Sequence, residues 1–181
     1  MNARTTAKIA AVSLVFAVSA ITGCSNTEQG QIPITLGDPD DYAALVQPYV
    51  GLRCGSLDCH GDSGRPLRLY AEYGLRMRAE LRDEPVAAAE IADNVAAFAG
   101  ISAGSEPAGS PGSLALHKGL AVAAGGFAHA GGDIWDSVDE PGYVCLRGWL
   151  DGQSGDPAVA DACASAYLEV MPAEPAVRTA R

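Results

Sequence analysis

Residues 54–64, CGSLDCHGDSG, constrain the fold of this chain more than any other stretch. Two cysteines and a histidine fall within seven positions, and His60 follows Cys59 directly. Glycine, aspartate and serine dominate residues 54–66, so the stretch is a loop rather than a helix or strand. Haem attachment, a metal clip and a small disulfide loop each suit such a cluster, and the rest of the chain has to decide among them.

The N-terminus sets the redox context. In MNARTTAKIAAVSLVFAVSAITGC, Arg4 and Lys8 form a short positive region ahead of an apolar run from Ile9 to Ile21. That run is too short to span a bilayer comfortably, and small residues follow it, which is the layout of an export signal over residues 1–23. The ending Ile21-Thr22-Gly23-Cys24 resembles the lipobox of bacterial lipoproteins. The resemblance implies cleavage before Cys24 and lipid on that residue. Ser25 in the next position implies an outer-membrane destination, with the domain lipid-anchored on the periplasmic side of the cell envelope. The plainer reading is an ordinary secretory signal in which Cys24 is incidental.

The formal net charge of the full chain is −10, and without Arg4 and Lys8 of the signal it is −10 − 2 = −12; it argues against nucleic acid, whose phosphates it would repel. It argues equally against electrostatic binding to an anionic bilayer, so a lipid has to do any anchoring. Residues 24–40 are polar and rich in turn formers and read as a lipidated tether. Residues 41–172 are expected to form one domain, with residues 173–181 as a flexible tail.

Within that domain the periodicities are helical. Tyr42, Leu45, Val46, Tyr49 and Leu52 recur at helical spacing after Asp40 and Asp41, with Pro48 as an interruption. Residues 84–100 are alanine-rich, with Pro85 in the first turn and Gly100 as a stop. Residues 139–152 place Tyr143, Leu146, Trp149 and Leu150 on one stripe, and a further helix spans about 156–170. Segment 66–82 is mixed, and residues 100–132 form a long Gly/Ala/Ser/Pro-rich loop. Strand signals are scarce, so the predicted class is all-α with long irregular loops.

Apart from Cys24, four cysteines remain in an exported chain: Cys54, Cys59, Cys145 and Cys163. An oxidising compartment and an even count favour disulfides. Cys145 and Cys163 lie on consecutive predicted helices and are expected to pair. Cys54 and Cys59 then form either a small disulfide loop with His60 as a bystander, or a covalent haem site. In haem attachment two thiols add to the haem vinyl groups and the adjacent histidine ligates iron, which demands Cys-His adjacency. The spacing here is CxxxxCH, wider than the usual CxxCH. Zinc fits poorly, because adjacent Cys59 and His60 strain to share one tetrahedral ion and no fourth ligand is evident. The GDSG of residues 61–64 resembles the nucleophile loop of trypsin-like proteases. Arg65 stands where that family has a second glycine, and no histidine is suitably placed as base, which excludes the reading.

The segment SPGSLALHKGL, followed by GGFAHAGGDIWDSVDEPGYVCLRGWLDG, resembles the second half of small bacterial cytochrome-c-like domains. With CxxxxCH after an aromatic-bearing helix, the resemblance covers roughly residues 42–152. It implies an all-α cytochrome-c-like fold and haem c on Cys54 and Cys59. It also implies His60 as proximal iron ligand, and the 145–150 helix packed on the first. The extra Cys145–Cys163 pair and the missing methionine before the last family helix depart from the family pattern. His129, flanked by Ala128, Ala130, Gly131 and Gly132, is the candidate distal ligand, ahead of Met77, His117 and Met171. The expected function is electron transfer with redox partner proteins and no turnover of its own, the net charge suggesting a basic partner patch. A haem-free, disulfide-stabilised lipoprotein that binds another envelope component is the alternative. A cytochrome-type peroxidase is disfavoured, since a second haem motif is missing.

Overall fold

The computed structural model describes residues 36–82, 84–105 and 107–172, all within the compact unit Ile32–Arg181. The expected signal over 1–23, the expected lipidation site Cys24, most of the tether and the tail 173–181 lie outside the described residues. Helices and turns account for the regular structure, and among the described residues there is no strand. The all-α class is therefore correct.

Pro39–Asp41, Tyr42–Val46 and Gln47–Arg53 run on as one helix, α1. The Asp38 side chain caps it by accepting from the Asp40 and Asp41 amides at 2.7 and 3.4 Å. Pro48 does not interrupt α1 as the sequence suggests. Its ring would collide with the carbonyl of Ala44 in a regular helix. The preceding turn widens instead to π geometry, in which the Gln47 amide donates to the Tyr42 carbonyl five residues back. The domain also starts earlier than residue 41. Leu36 packs on the core, and the Trp149 indole donates to the Asp38 carbonyl at 3.0 Å. Gly37 lies so close to Trp149 that no side chain fits there.

The second helix, α2 (Ala88–Ser102), begins four residues later than its alanine-rich composition suggests. Arg76 accounts for the delay. Its guanidinium donates to the Glu84 and Pro85 carbonyls at 2.7 and 3.0 Å, and to the Leu81 carbonyl. It also pairs with Glu90 at 2.9 Å. Glu90 accepts in addition from the Met77 and Ala87 amides at 2.8 and 2.9 Å. These bonds keep residues 84–87 out of the helix and clip the irregular 76–87 segment to the start of α2.

A short helix α3 (Leu114–His117) is embedded in the long loop, followed by α4 (Pro141–Leu150) and α5 (Pro157–Val170). Asp156 caps α5 by accepting from the Ala158 amide at 2.9 Å. The predicted α4 stripe of Tyr143, Leu146, Trp149 and Leu150 is wholly buried. The Cys145–Cys163 disulfide joins α4 to α5, with a Cα–Cα distance of 4.7 Å. Tyr42, Phe98 and Trp149 meet at the centre, with ring centroids 4.9 to 6.0 Å apart. That aromatic junction fixes α1, α2 and α4 against one another, and α4 does pack on the first helix.

Candidate functional site

The Cys54–His60 loop hangs from the end of α1. The Cys54 amide still donates to Val50, at 2.8 Å, and Gly55 also reaches back to the Val50 carbonyl, at 3.1 Å. The four residues between the cysteines are absorbed by a turn in which Cys59 and Gly61 both donate to the Ser56 carbonyl. The His60 amide then donates to the Cys54 carbonyl at 2.9 Å, which closes the loop on itself. The wide spacing thus returns the Cys-His pair to the helix end. Cys54 and Cys59 are free thiols, not a disulfide, and both are partly buried. Burial pushes the Cys54 thiol up to about 12, against the pull of Arg53 and with a further push from Cys59. Ser63 of the GDSG segment sits in an exposed turn, where the Asp62 carboxylate accepts from the Gly64 amide at 2.8 Å.

His129 arrives on a long excursion whose two ends are tied together. Gly119 accepts from the Ile134 and Trp135 amides at 2.8 and 3.0 Å, and Ala121 donates to the Trp135 carbonyl at 2.8 Å. Within the excursion, Phe127 donates to the His117 carbonyl at 2.9 Å, and the Lys118 ammonium donates to Ala128 at 3.1 Å. The Trp135 indole donates to the buried Tyr49 hydroxyl of α1 at 2.9 Å, which anchors the loop to the core. Glycine is required at position 142, where any side chain would overlap the Tyr49 hydroxyl and the Trp135 indole.

These two loops bring His60 and His129 together. Their ring centroids lie 5.9 Å apart, with planes only 20° from parallel. The Nδ1 of His60 lies 2.8 Å from the Leu67 carbonyl, and the Nδ1 of His129 lies 3.1 Å from the Gly132 carbonyl. A carbonyl only accepts, so each Nδ1 is the donor in its contact. Backbone bonds of this kind are what orient metal-ligating histidines. Burial lowers the His60 pKa, more than the Leu67 contact raises it, and so favours the neutral imidazole that can ligate.

Both histidines and both thiols line one cavity of about 420 Å³. Its walls are mainly apolar, including Leu67, Leu69, Phe98 and Ile101, and its charged lining residues are Arg53 and Lys118. Such a volume and lining suit a small organic cofactor. Among the described residues no cluster of three or more His, Cys, Asp or Glu side chains could hold a bare metal ion.

No family model, curated protein or solved structure matches this chain. The other sequence candidates for the distal position stand apart from the cavity. Met77 and Met171 are 38% and 42% exposed, and neither lines it. His117 packs on Phe127 with centroids 4.2 Å apart, and its Nε2 faces the Gly125 carbonyl. Sequence reasoning missed Arg53, Lys118 and Trp135 as lining residues, and Tyr49 as the anchor of Trp135. Only Trp135 carried a signal, as a large aromatic residue in an otherwise small-residue loop.

Proposed function

We propose that this chain is a cytochrome-c-like electron carrier with haem c attached through Cys54 and Cys59 and its iron held between His60 and His129. The observation that carries the reading is the pair of neighbouring imidazoles lining one mainly apolar cavity together with both thiols. Two imidazoles on one metal, each with a bond of about 2 Å, put their ring centroids about 6 Å apart. The observed 5.9 Å matches that spacing.

The residues present fit the group. Two histidine nitrogens are too few for a bare ion, but a porphyrin brings four nitrogens of its own, so His60 and His129 would be enough to hold its iron. When bound, haem supplies one-electron iron chemistry. The chain's residues do the rest. The Leu67 and Gly132 carbonyls would hold the two imidazole rings in place through Nδ1. Leu69, Phe98 and Ile101 would keep water away from the group. Arg53 and Lys118 are the cations available to the haem carboxylates. Two imidazoles without a methionine thioether poise the haem low within the c-type range. No turnover is proposed: the domain is an extracytoplasmic, lipid-anchored carrier that exchanges electrons with protein partners.

The test is covalent attachment. The mature protein, produced together with haem-attachment machinery, should keep the pigment on the denatured polypeptide, with one haem added to its mass. The Cys54→Ala/Cys59→Ala variant should lose it. A wild-type chain carrying no haem mass overturns the proposal.

A further inference from the structure

Charge is unevenly distributed along this acidic chain. Residues 53–82 carry six arginines against four acidic residues, whereas residues 84–172 carry two basic residues against twelve acidic ones. The arginine-rich segment includes the loop that holds Cys54, Cys59 and His60. Beside that loop lies an open groove of about 930 Å³, lined by Leu57, Tyr73, Arg78 and Arg82 together with Glu72 and Arg76.

Two features set this groove apart from ordinary solvated surface. Tyr73 is 76% exposed and Leu57 62% exposed, among the most exposed large apolar side chains in the described residues. Arg76 turns inward to its buried pair with Glu90, but Arg78 and Arg82 are exposed. Neither makes an ion pair among the described residues. An exposed tyrosine beside arginines that make no ion pair among the described residues is the composition that concentrates binding energy at protein interfaces.

The groove is also rigidly joined to the candidate cofactor site. Leu57 lies between Cys54 and Cys59, and Gly74 is pressed against the Gly55 carbonyl with no room for a side chain. A partner seated on Tyr73 and Leu57 therefore rests directly on the loop that carries the thiols.

We infer that this groove is the docking surface for a protein partner that presents carboxylates around an apolar tip. The inference rests on the electron-carrier reading for its purpose, and it reverses the basic partner suggested by net charge alone. Local potential, not total charge, sets the orientation of an encounter. A protein is favoured over a lipid surface because the acidic remainder of the domain repels an anionic bilayer.

The test uses the mature full chain, with and without haem, titrated at low salt with a synthetic Glu/Leu-rich peptide and with a Lys/Leu-rich peptide of equal length. The acidic peptide should bind more tightly, and its affinity should fall as salt rises. Arg78→Glu/Arg82→Glu should weaken it about tenfold or more, and Tyr73→Ser severalfold, whereas the control Arg147→Glu should change it less than twofold. Circular dichroism confirms that each variant is folded. Tighter binding of the basic peptide, or acidic-peptide binding indifferent to the arginine reversal, overturns the inference. So does arginine-dependent binding to phosphatidylserine-containing vesicles with no peptide binding, which assigns the groove to a membrane. Peptide binding by a chain that takes up no haem even when matured with the haem-attachment machinery leaves the groove intact and removes the electron-carrier reading alone.

Discussion

Removing the Cys145–Cys163 disulfide tests how the C-terminal helix pair is held. The bridge spans 18 residues, and the loop-entropy relation then gives about 11 cal/mol/K, or about 3 kcal/mol at room temperature. Both cysteines are buried, at 0% and 2% exposure. Replacing both with alanine adds small packing losses of about 1 kcal/mol. The expected total is about 3–5 kcal/mol, which lowers the melting temperature by about 10 °C or more for a domain of this size. The assay is thermal and urea unfolding of the Cys145→Ala/Cys163→Ala variant beside wild type, with and without reductant. Reductant should destabilise the wild type and leave the variant unchanged. A loss below about 1 kcal/mol would refute the reasoning. It would mean that packing such as Gly148 against Val159 already restricts α4 and α5 in the unfolded chain.

Arg76→Ala should cost about 3–5 kcal/mol in urea unfolding, because it leaves the fully buried Glu90 carboxylate without its cation. The acid limb of stability reports the same clip. Burial pushes the Glu90 carboxyl up, but the bonds from Arg76, Ala87 and Met77 outweigh it and hold the pKa below its ordinary 4.5. The unfolded chain therefore binds the proton more readily, and the Glu90 contribution is complete above 4.5 and lost as pH falls further. Glu90→Gln should flatten that limb in acid titrations followed by circular dichroism. Gly142→Ala should destabilise by about 1–3 kcal/mol, since its methyl overlaps the Tyr49–Trp135 hydrogen bond. A wild-type melting curve for that variant would count against the tight packing at position 142.

Much of this architecture was legible in the sequence where one local pattern sufficed. The α4 stripe, the span of α5 and the pairing of Cys145 with Cys163 follow from periodicity and spacing over a few turns. The Cys54–Cys59–His60 loop was legible because adjacent Cys and His serve few chemistries. Its turn geometry was not, because it depends on Ser56 accepting two amides. The Arg76–Glu90 clip joins residues 14 apart across irregular chain, and the Trp135–Tyr49 bond joins residues 86 apart. No local periodicity records either contact. Pro48 carried a true signal of local strain, but whether α1 would break or widen depended on the tertiary packing of Tyr42 and Val46. His129 could be nominated by its order along the chain, whereas its closeness to His60 required the folded excursion tied at Gly119 and Trp135.

The central claim, that His60 and His129 bind one iron from opposite sides, is tested most directly by the visible and electron paramagnetic resonance spectra of the ferric protein. The account predicts a low-spin bis-imidazole signature in the wild type and conversion to high-spin in His129→Ala, with haem still covalently bound. A wild-type spectrum that is already high-spin, or a low-spin spectrum unchanged by His129→Ala, would contradict it.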